Sequence, residues 1–281
     1  MTTWRIEEPQ TLELERVTRL RVRTIRGRLS VVGTDEQPRV EVSEVQGGPL
    51  TVRHDEDGAL EVGYDDWARP GFLSWVASRR RWRRRAVVSV AVPRDCPVDL
   101  QVISSSVVVS GLRARVAVWV MSGDITLAGL AGPVDAETVS GSVEAHAIGA
   151  GLRMRTVSGD ITLAEGFGGT VEAETVSGAI ACDLSSTVTG DVRLGAVSGD
   201  ITIRVPDGSD LQVRLQTTSG QVSSAFPDLR RSVQPGRQLA EGVLGAGTAR
   251  LHAKATSGDV ALLRRGRQEP AAGEPSAREA T

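Results

Sequence analysis

A Ser-Gly-x tripeptide returns at near-constant pitch along the chain. A short period of this kind buries apolar surface only when successive units stack on one another. Its glycines are Gly123, Gly141, Gly159, Gly178, Gly199, Gly220 and Gly258, with successive gaps of 18, 18, 19, 21, 21 and 38. The last gap is twice 19, so one unit is expected to have lost its signature near residue 239. Ser104, Ser105 and Ser106 read as a degenerate first copy, with Ser105 18 residues before Gly123.

Aligning the units on the glycine exposes alternating columns. Seven, five and three positions before it stand, for example, Val116, Val118 and Val120, then Leu152, Met154 and Thr156, then Val192, Leu194 and Ala196. Period-two alternation of small apolar residues marks a strand with one buried face. Two residues after each glycine comes Ile125, Val143, Ile161, Ile180, Ile201, Val222 or Val260, always β-branched, which starts a second strand. A third apolar column, Leu112, Leu130, Ile148 and Phe167, marks another wall of the same unit. The fold class read from this pattern is all-β: a β-solenoid of about nine coils with an N-terminal β cap. Residues 1–97 form the cap region, 98–263 the solenoid repeats, and 264–281 a disordered tail with Pro270 and Pro275. The segment 223–250, holding Phe226, Pro227 and Pro235, interrupts the repeat as a protruding loop or an irregular coil.

Outward columns test the stacking, because equivalent side chains on parallel neighbours stand ~4.8 Å apart and like charges there repel. Six residues before the glycine the column reads Asp135, Arg153, Glu172, Arg193, and four before it reads Glu137, Arg155, Glu174. Opposite charges thus meet at the same height until Arg214 follows Arg193 and breaks the rule. The residue after the glycine reads Asp124, Ser142, Asp160, Ala179, Asp200, Gln221 and Asp259, which puts carboxylates on alternate coils.

With these motifs in place, the sequence resembles the bacterial putative-adhesin family of unknown function, whose repeat is written Thr-Val-Ser-Gly-Asp-Ile. Thr156-Val-Ser-Gly-Asp-Ile161 matches it in full, and Ala196-Val-Ser-Gly-Asp-Ile201 nearly so. The closing segments Gly245-Ala-Gly-Thr-Ala-Arg-Leu251 and Thr256-Ser-Gly-Asp-Val260 look like that family's final coil. The resemblance implies that the solenoid is right-handed and single-stranded β-helix-like, and it implies no catalytic residues.

The 281 residues carry 33 Lys+Arg against 35 Asp+Glu, a formal charge of −2, which gives no global electrostatic case for nucleic acid. Cys96 and Cys182 lie far apart, with no metal or redox spacing, and read as free thiols. The amino terminus, from Met1 to Pro9, has no basic segment followed by an apolar run, so a cytoplasmic location, peripheral to the inner membrane face, is the expectation.

One segment departs from the pattern. Residues 65–85 form a Trp/Arg-rich insertion between two strand-like segments. The candidate partner or membrane contacts there are Trp67, Phe72, Trp75, Arg79, Arg80, Arg81, Trp82, Arg83, Arg84 and Arg85. Tryptophan beside arginine suits an anionic membrane surface. The same residue types stack on single-stranded nucleic acid, and the bland alternative is a solvated insertion covering the solenoid flank.

Chemistry is otherwise sparse. His54, His146 and His252 are single and scattered, which leaves no base for a nucleophile. Cys182 aligns with Leu127, Leu163 and Ile203 and reads as core filler. The Gly-Asp spacing is twice that of calcium-binding β-rolls, and no cofactor or metal is expected. The functional reading is a non-enzymatic binding or scaffold protein acting at the membrane or in envelope regulation, with an unknown protein or envelope component as partner. The alternative is a carbohydrate-active β-helix enzyme using Asp124, Asp160 or Asp200 two coils apart, roughly 9.6 Å.

Overall fold

The computed structural model describes residues 1–64, 83–167, 169–184 and 190–265, and every element among them is a β-strand. Each repeat contributes one strand before its ridge glycine and one after it, so two walls meet along a line of glycines. In the first wall lie β9 (Val116–Ser122), β11 (Val134–Ser140), β13 (Leu152–Ser158), β15 (Val171–Ser177) and β17 (Asp191–Ser198). In the second lie β10 (Ile125–Leu130), β12 (Val143–Ile148), β14 (Ile161–Phe167), β16 (Ile180–Asp183) and β18 (Ile201–Pro206). Successive strands pair parallel and in register, with Val134, Ala136 and Thr138 beside Leu152, Met154 and Thr156. The chain is therefore an all-β solenoid whose equivalent residues stack, as the columns require.

The inward columns form one continuous core, and Val116, Ala136, Met154, Val171 and Ile203 are fully buried. Threonines three before the glycine are buried as well, and their hydroxyls find partners on the neighbouring coil. Thr156 Oγ1 donates to the Gly141 carbonyl at 3.2 Å, and Thr175 Oγ1 to the Gly159 carbonyl at 3.2 Å. This satisfies a buried donor and a corner carbonyl together. The corner itself demands glycine. Gly178 holds φ +151°, and a Cβ there would overlap the carbonyl oxygen of Gly159.

Two strands turn this corner without interruption. β3 (Arg19–Thr34) and β8 (Val98–Ser110) each run through both walls and pair with one another from Leu20↔Val98 to Val32↔Ser110. The sequence suggests two separate strands, Leu20–Ile25 and Leu29–Val32. Gly27, at φ +132°, bends the chain between them and keeps the ladder intact. Beyond β3 the first wall continues through β6 (Ala59–Gly63), β5 (Leu50–His54) and β1 (Thr2–Ile6), and the second through β7 (Arg85–Pro93), β4 (Arg39–Gln46) and β2 (Gln10–Glu13). The outer members of both runs are antiparallel, which ends the parallel stack.

The carboxy-terminal end departs from the order of the repeats. After β19 (Leu211–Ser219) and β20 (Val222–Ser224) the chain forms a hairpin of β21 (Arg230–Gln234) and β22 (Arg237–Leu244), and β22 lies antiparallel on β19. The chain then returns as β23 (Ala249–Ser257) and β24 (Val260–Arg265). These slot between the coil of β17 and β18 and the coil of β19 and β20. The 38-residue gap is therefore no lost copy: the intervening segment is a capping hairpin, and the last coil is intercalated. Asp210 holds the return, accepting the Ala246 N–H on Oδ1 at 2.6 Å and the Ala249 N–H on its carbonyl at 3.1 Å.

Candidate functional site

Intercalation revises two of the outward columns. His252 stands between Arg193 and Arg214, so those arginines are not neighbours. Asp259 lies directly beside Asp200, so carboxylates do occupy adjacent coils. What the ridge aspartates share is a backbone task. Asp124 Oδ1 accepts the Ser142 N–H at 2.9 Å, Asp160 Oδ1 the Ala179 N–H at 2.8 Å, Asp200 Oδ1 the Asp259 N–H at 2.8 Å and Asp259 Oδ1 the Gln221 N–H at 2.8 Å. Each carboxylate ties its coil to the next, which accounts for the residue without acid-base chemistry. Among the described residues no group of three His, Cys, Asp or Glu side chains is placed to hold a metal ion.

The charged columns of the first wall pair as their signs require. Arg153 Nε meets Glu172 at 2.9 Å, and Arg155 reaches Glu137 at 3.5 Å, Glu172 at 3.6 Å and Glu174 at 3.2 Å. The hydrogen bond that Arg153 donates to the Glu172 carboxylate raises the Arg153 pKa above its ordinary value. Exposed pairs of this kind contribute only ~0.2–1 kcal/mol each, so they specify register more than stability.

Beside the charge column runs an apolar one. Two residues before the glycine the side chain points outward, leaving Val139, Val157, Val176 and Val197 exposed by 42, 49, 48 and 50% on four consecutive strands. The two columns line an open groove of about 560 Å³. It runs across the strands from Trp119 at one end to Lys254 and Thr256 at the other. Five strand spacings make it roughly 24 Å long. Near the Lys254 end the charge column loses its side chain at Gly195, which opens a notch between Glu174 and Lys254.

A family model described as Toastrack DUF4097 matches residues 22–263. The chain belongs to this family. Two solved structures are similar to this Toastrack chain. One is a putative cell adhesion protein from Clostridium sporogenes, 12% identical, with 92% of this chain and 100% of that one covered at a TM-score of 0.29. The other is a putative adhesin from Bacteroides fragilis, 12% identical, with coverage of 92% and 98% at a TM-score of 0.43. No curated protein matches the chain.

Of the contacts singled out in the Toastrack sequence, Trp67, Phe72, Trp75, Arg79, Arg80, Arg81 and Trp82 lie outside the described residues. Arg83, Arg84 and Arg85 are described, and two of them are engaged within the fold. Arg84 lies over the Tyr64 ring at 4.9 Å, and Arg85 Nε is 3.5 Å from Glu44. Tyr64 directly follows β6 on the first wall, and Arg83 and Arg84 directly precede β7 on the second. Continued towards the amino-terminal end, the groove's charge column passes Gln101 and Arg23 to Gly63, the residue before Tyr64.

The groove was missed from sequence, although a signal was there. If the third residue before the glycine faces inward, the second faces out, and a valine repeated there is an apolar stripe on the surface. Both cysteines are buried, and burial raises the Cys96 thiol to about 11 and the Cys182 thiol to about 12. His252 is exposed. Its pKa is lowered by partial burial and then by Arg214, Lys254 and Arg193.

Proposed function

We propose that this Toastrack protein is an adhesin-like binding protein without catalytic activity, and that the groove on its first wall is the contact surface. The observation that carries this reading is the ladder of Val139, Val157, Val176 and Val197. These aliphatic side chains stand in water on four consecutive strands, where polar residues would serve stacking equally well. An unbroken apolar stripe rimmed by charge is the composition of a contact surface, with a dry centre and a polar border. The paired charges of Glu137, Arg155 and Glu174 border the stripe and leave its middle close to neutral.

The test is a peptide and glycan array probed with the intact protein and with Val157→Lys/Val176→Lys. Both positions are exposed, so the variant keeps its fold, which circular dichroism verifies. Loss of the array signal in the variant supports the groove, and the same signal from both proteins overturns it. Contact of residues 65–85 with an anionic membrane is a separate part of this reading. It is tested by liposome co-sedimentation with residues 65–82 deleted.

A further inference from the structure

The intercalated coil gathers charges that the sequence keeps apart. Arg193 on β17, His252 and Lys254 on β23 and Arg214 on β19 stand on three adjacent strands, with His252 directly between the two arginines. From β11 to β15 every cation in these two columns is set against a carboxylate on a neighbouring strand, and beyond Arg193 that alternation stops. The acidic side chains that face the cluster are Glu172 on β15, the strand partner of Arg193 and already paired with Arg153 and Arg155, Asp191, 3.0 Å from Arg193, and Glu241 on β22, the strand partner of Arg214. Arg250, the strand partner of Asp191, adds a further cation. Arg214 and Lys254 make no ion pair among the described residues. Arg214 on β19 and Lys254 on β23 stand close without a carboxylate between them, and a fold that keeps cations together invites a counter-charge from outside.

Lys254 is also the groove's end wall, beside the Gly195 notch. We propose that Arg193, Arg214, His252 and Lys254 form an anion-binding site that closes the groove and receives the carboxylates of an extended acidic peptide whose aliphatic side chains lie on the valine ladder. The inference rests on the groove being the contact surface and names what it takes. A peptide supplies branched aliphatic groups and carboxylates on one chain. A sulfated polysaccharide offers nothing for the valines. Roughly 24 Å of groove holds about seven extended residues at ~3.3 Å each. Partial burial and then the neighbouring cations lower the His252 pKa, and a bound carboxylate opposes the cations, so occupancy raises it.

The probe is a synthetic octapeptide of alternating Val and Glu, titrated into the intact protein by calorimetry and by NMR of the His252 ring. Octaglutamate, a sulfated oligosaccharide and inorganic phosphate are the comparison arms. The expected result is octapeptide binding that weakens with salt and raises the His252 midpoint. Arg214→Glu/Lys254→Glu reduces affinity by tenfold or more, and Val157→Lys weakens the octapeptide but not octaglutamate. An unchanged affinity in the Arg214→Glu/Lys254→Glu variant overturns the anion site and leaves the groove standing. Loss in that variant with no effect of Val157→Lys overturns the groove and leaves an isolated anion site. Tighter binding of the sulfated oligosaccharide, or no binding by any probe at millimolar concentration, overturns the peptide assignment.

Discussion

Replacing Gly178 with alanine puts the stacked corner under direct test. Two costs are expected. Residue 178 holds φ +151°, a conformation that non-glycine residues adopt at about 1–3 kcal/mol. The added methyl also overlaps the Gly159 carbonyl, so relief requires parting the two coils. The bonds that hold them there are Gly159 N–H to the Ser177 carbonyl at 2.9 Å and Ile161 N–H to the Ala179 carbonyl at 2.9 Å. Weakening both costs roughly 1–3 kcal/mol at about 0.5–1.5 each, so Gly178→Ala is expected to destabilise by about 2–6 kcal/mol in all. Gly129→Ala is the control. It has φ +60° with no atom within 4 Å of a Cβ, so only the left-handed backbone cost of about 1–2 kcal/mol applies. Urea unfolding followed by far-ultraviolet circular dichroism and by tryptophan fluorescence measures both. Equal losses in the two variants would refute the steric argument, because the control lacks only the neighbouring coil.

Three further outcomes follow from the same geometry. Asp160→Ala removes the acceptor of the Ala179 N–H and is expected to lower stability by about 1 kcal/mol, with Asp160→Asn recovering most of it in thermal melts. Arg193→Cys paired with His252→Cys should form a disulfide under mild oxidation. Arg193→Cys with Arg214→Cys should not, since two strand spacings, roughly 9.6 Å, exceed the ~7 Å reach of a disulfide; non-reducing mass spectrometry of peptides decides. Cys182 and Cys96 should resist alkylation at pH 8 until urea unfolds the chain. Their folded pKa values, about 12 and about 11, lie above the ordinary thiol value of 9.0, so the neutral thiols favour the fold. That contribution is complete below pH 9 and is lost as the pH rises from 9 towards 11 and 12, which urea midpoints across the alkaline range will show.

Much of this architecture was legible because a period of 18–21 residues with inward Val, Leu and Ile admits one economical solution, the parallel stack. Its side-chain columns then follow residue by residue, as the contacts of Arg153 and Arg155 bear out. The order of the last coils was not legible, and for a physical reason. The segments beginning at Asp191, Leu211 and Ala249 carry the same inward pattern, so any of them fits any level of the stack equally well. What chooses among them is non-local: the antiparallel seat of β22 on β19 and the grip of Asp210 on the return loop. The sequence did hold one clue, since Arg214 after Arg193 violates the sign alternation and calls for an intervening strand, which His252 provides. The groove escaped because the outward columns six and four positions before the glycine stand out by their charge, whereas a valine two positions before it has the composition of a core residue.

The intercalated coil also constrains how the protein is made. A ribosome releases the segment from Leu211 to Ser224 before the segment from Ala249 to Arg265, yet the later one must lie beneath the earlier. Vectorial synthesis therefore produces a nascent chain that can close prematurely, with β19 seated against β17, its inward side chains matched but Arg214 forced beside Arg193, and no place left for its rightful neighbour. Maturation then waits on the emergence of the final residues. Premature termination after residue 248 would yield a shorter, well-formed impostor lacking His252 and Lys254.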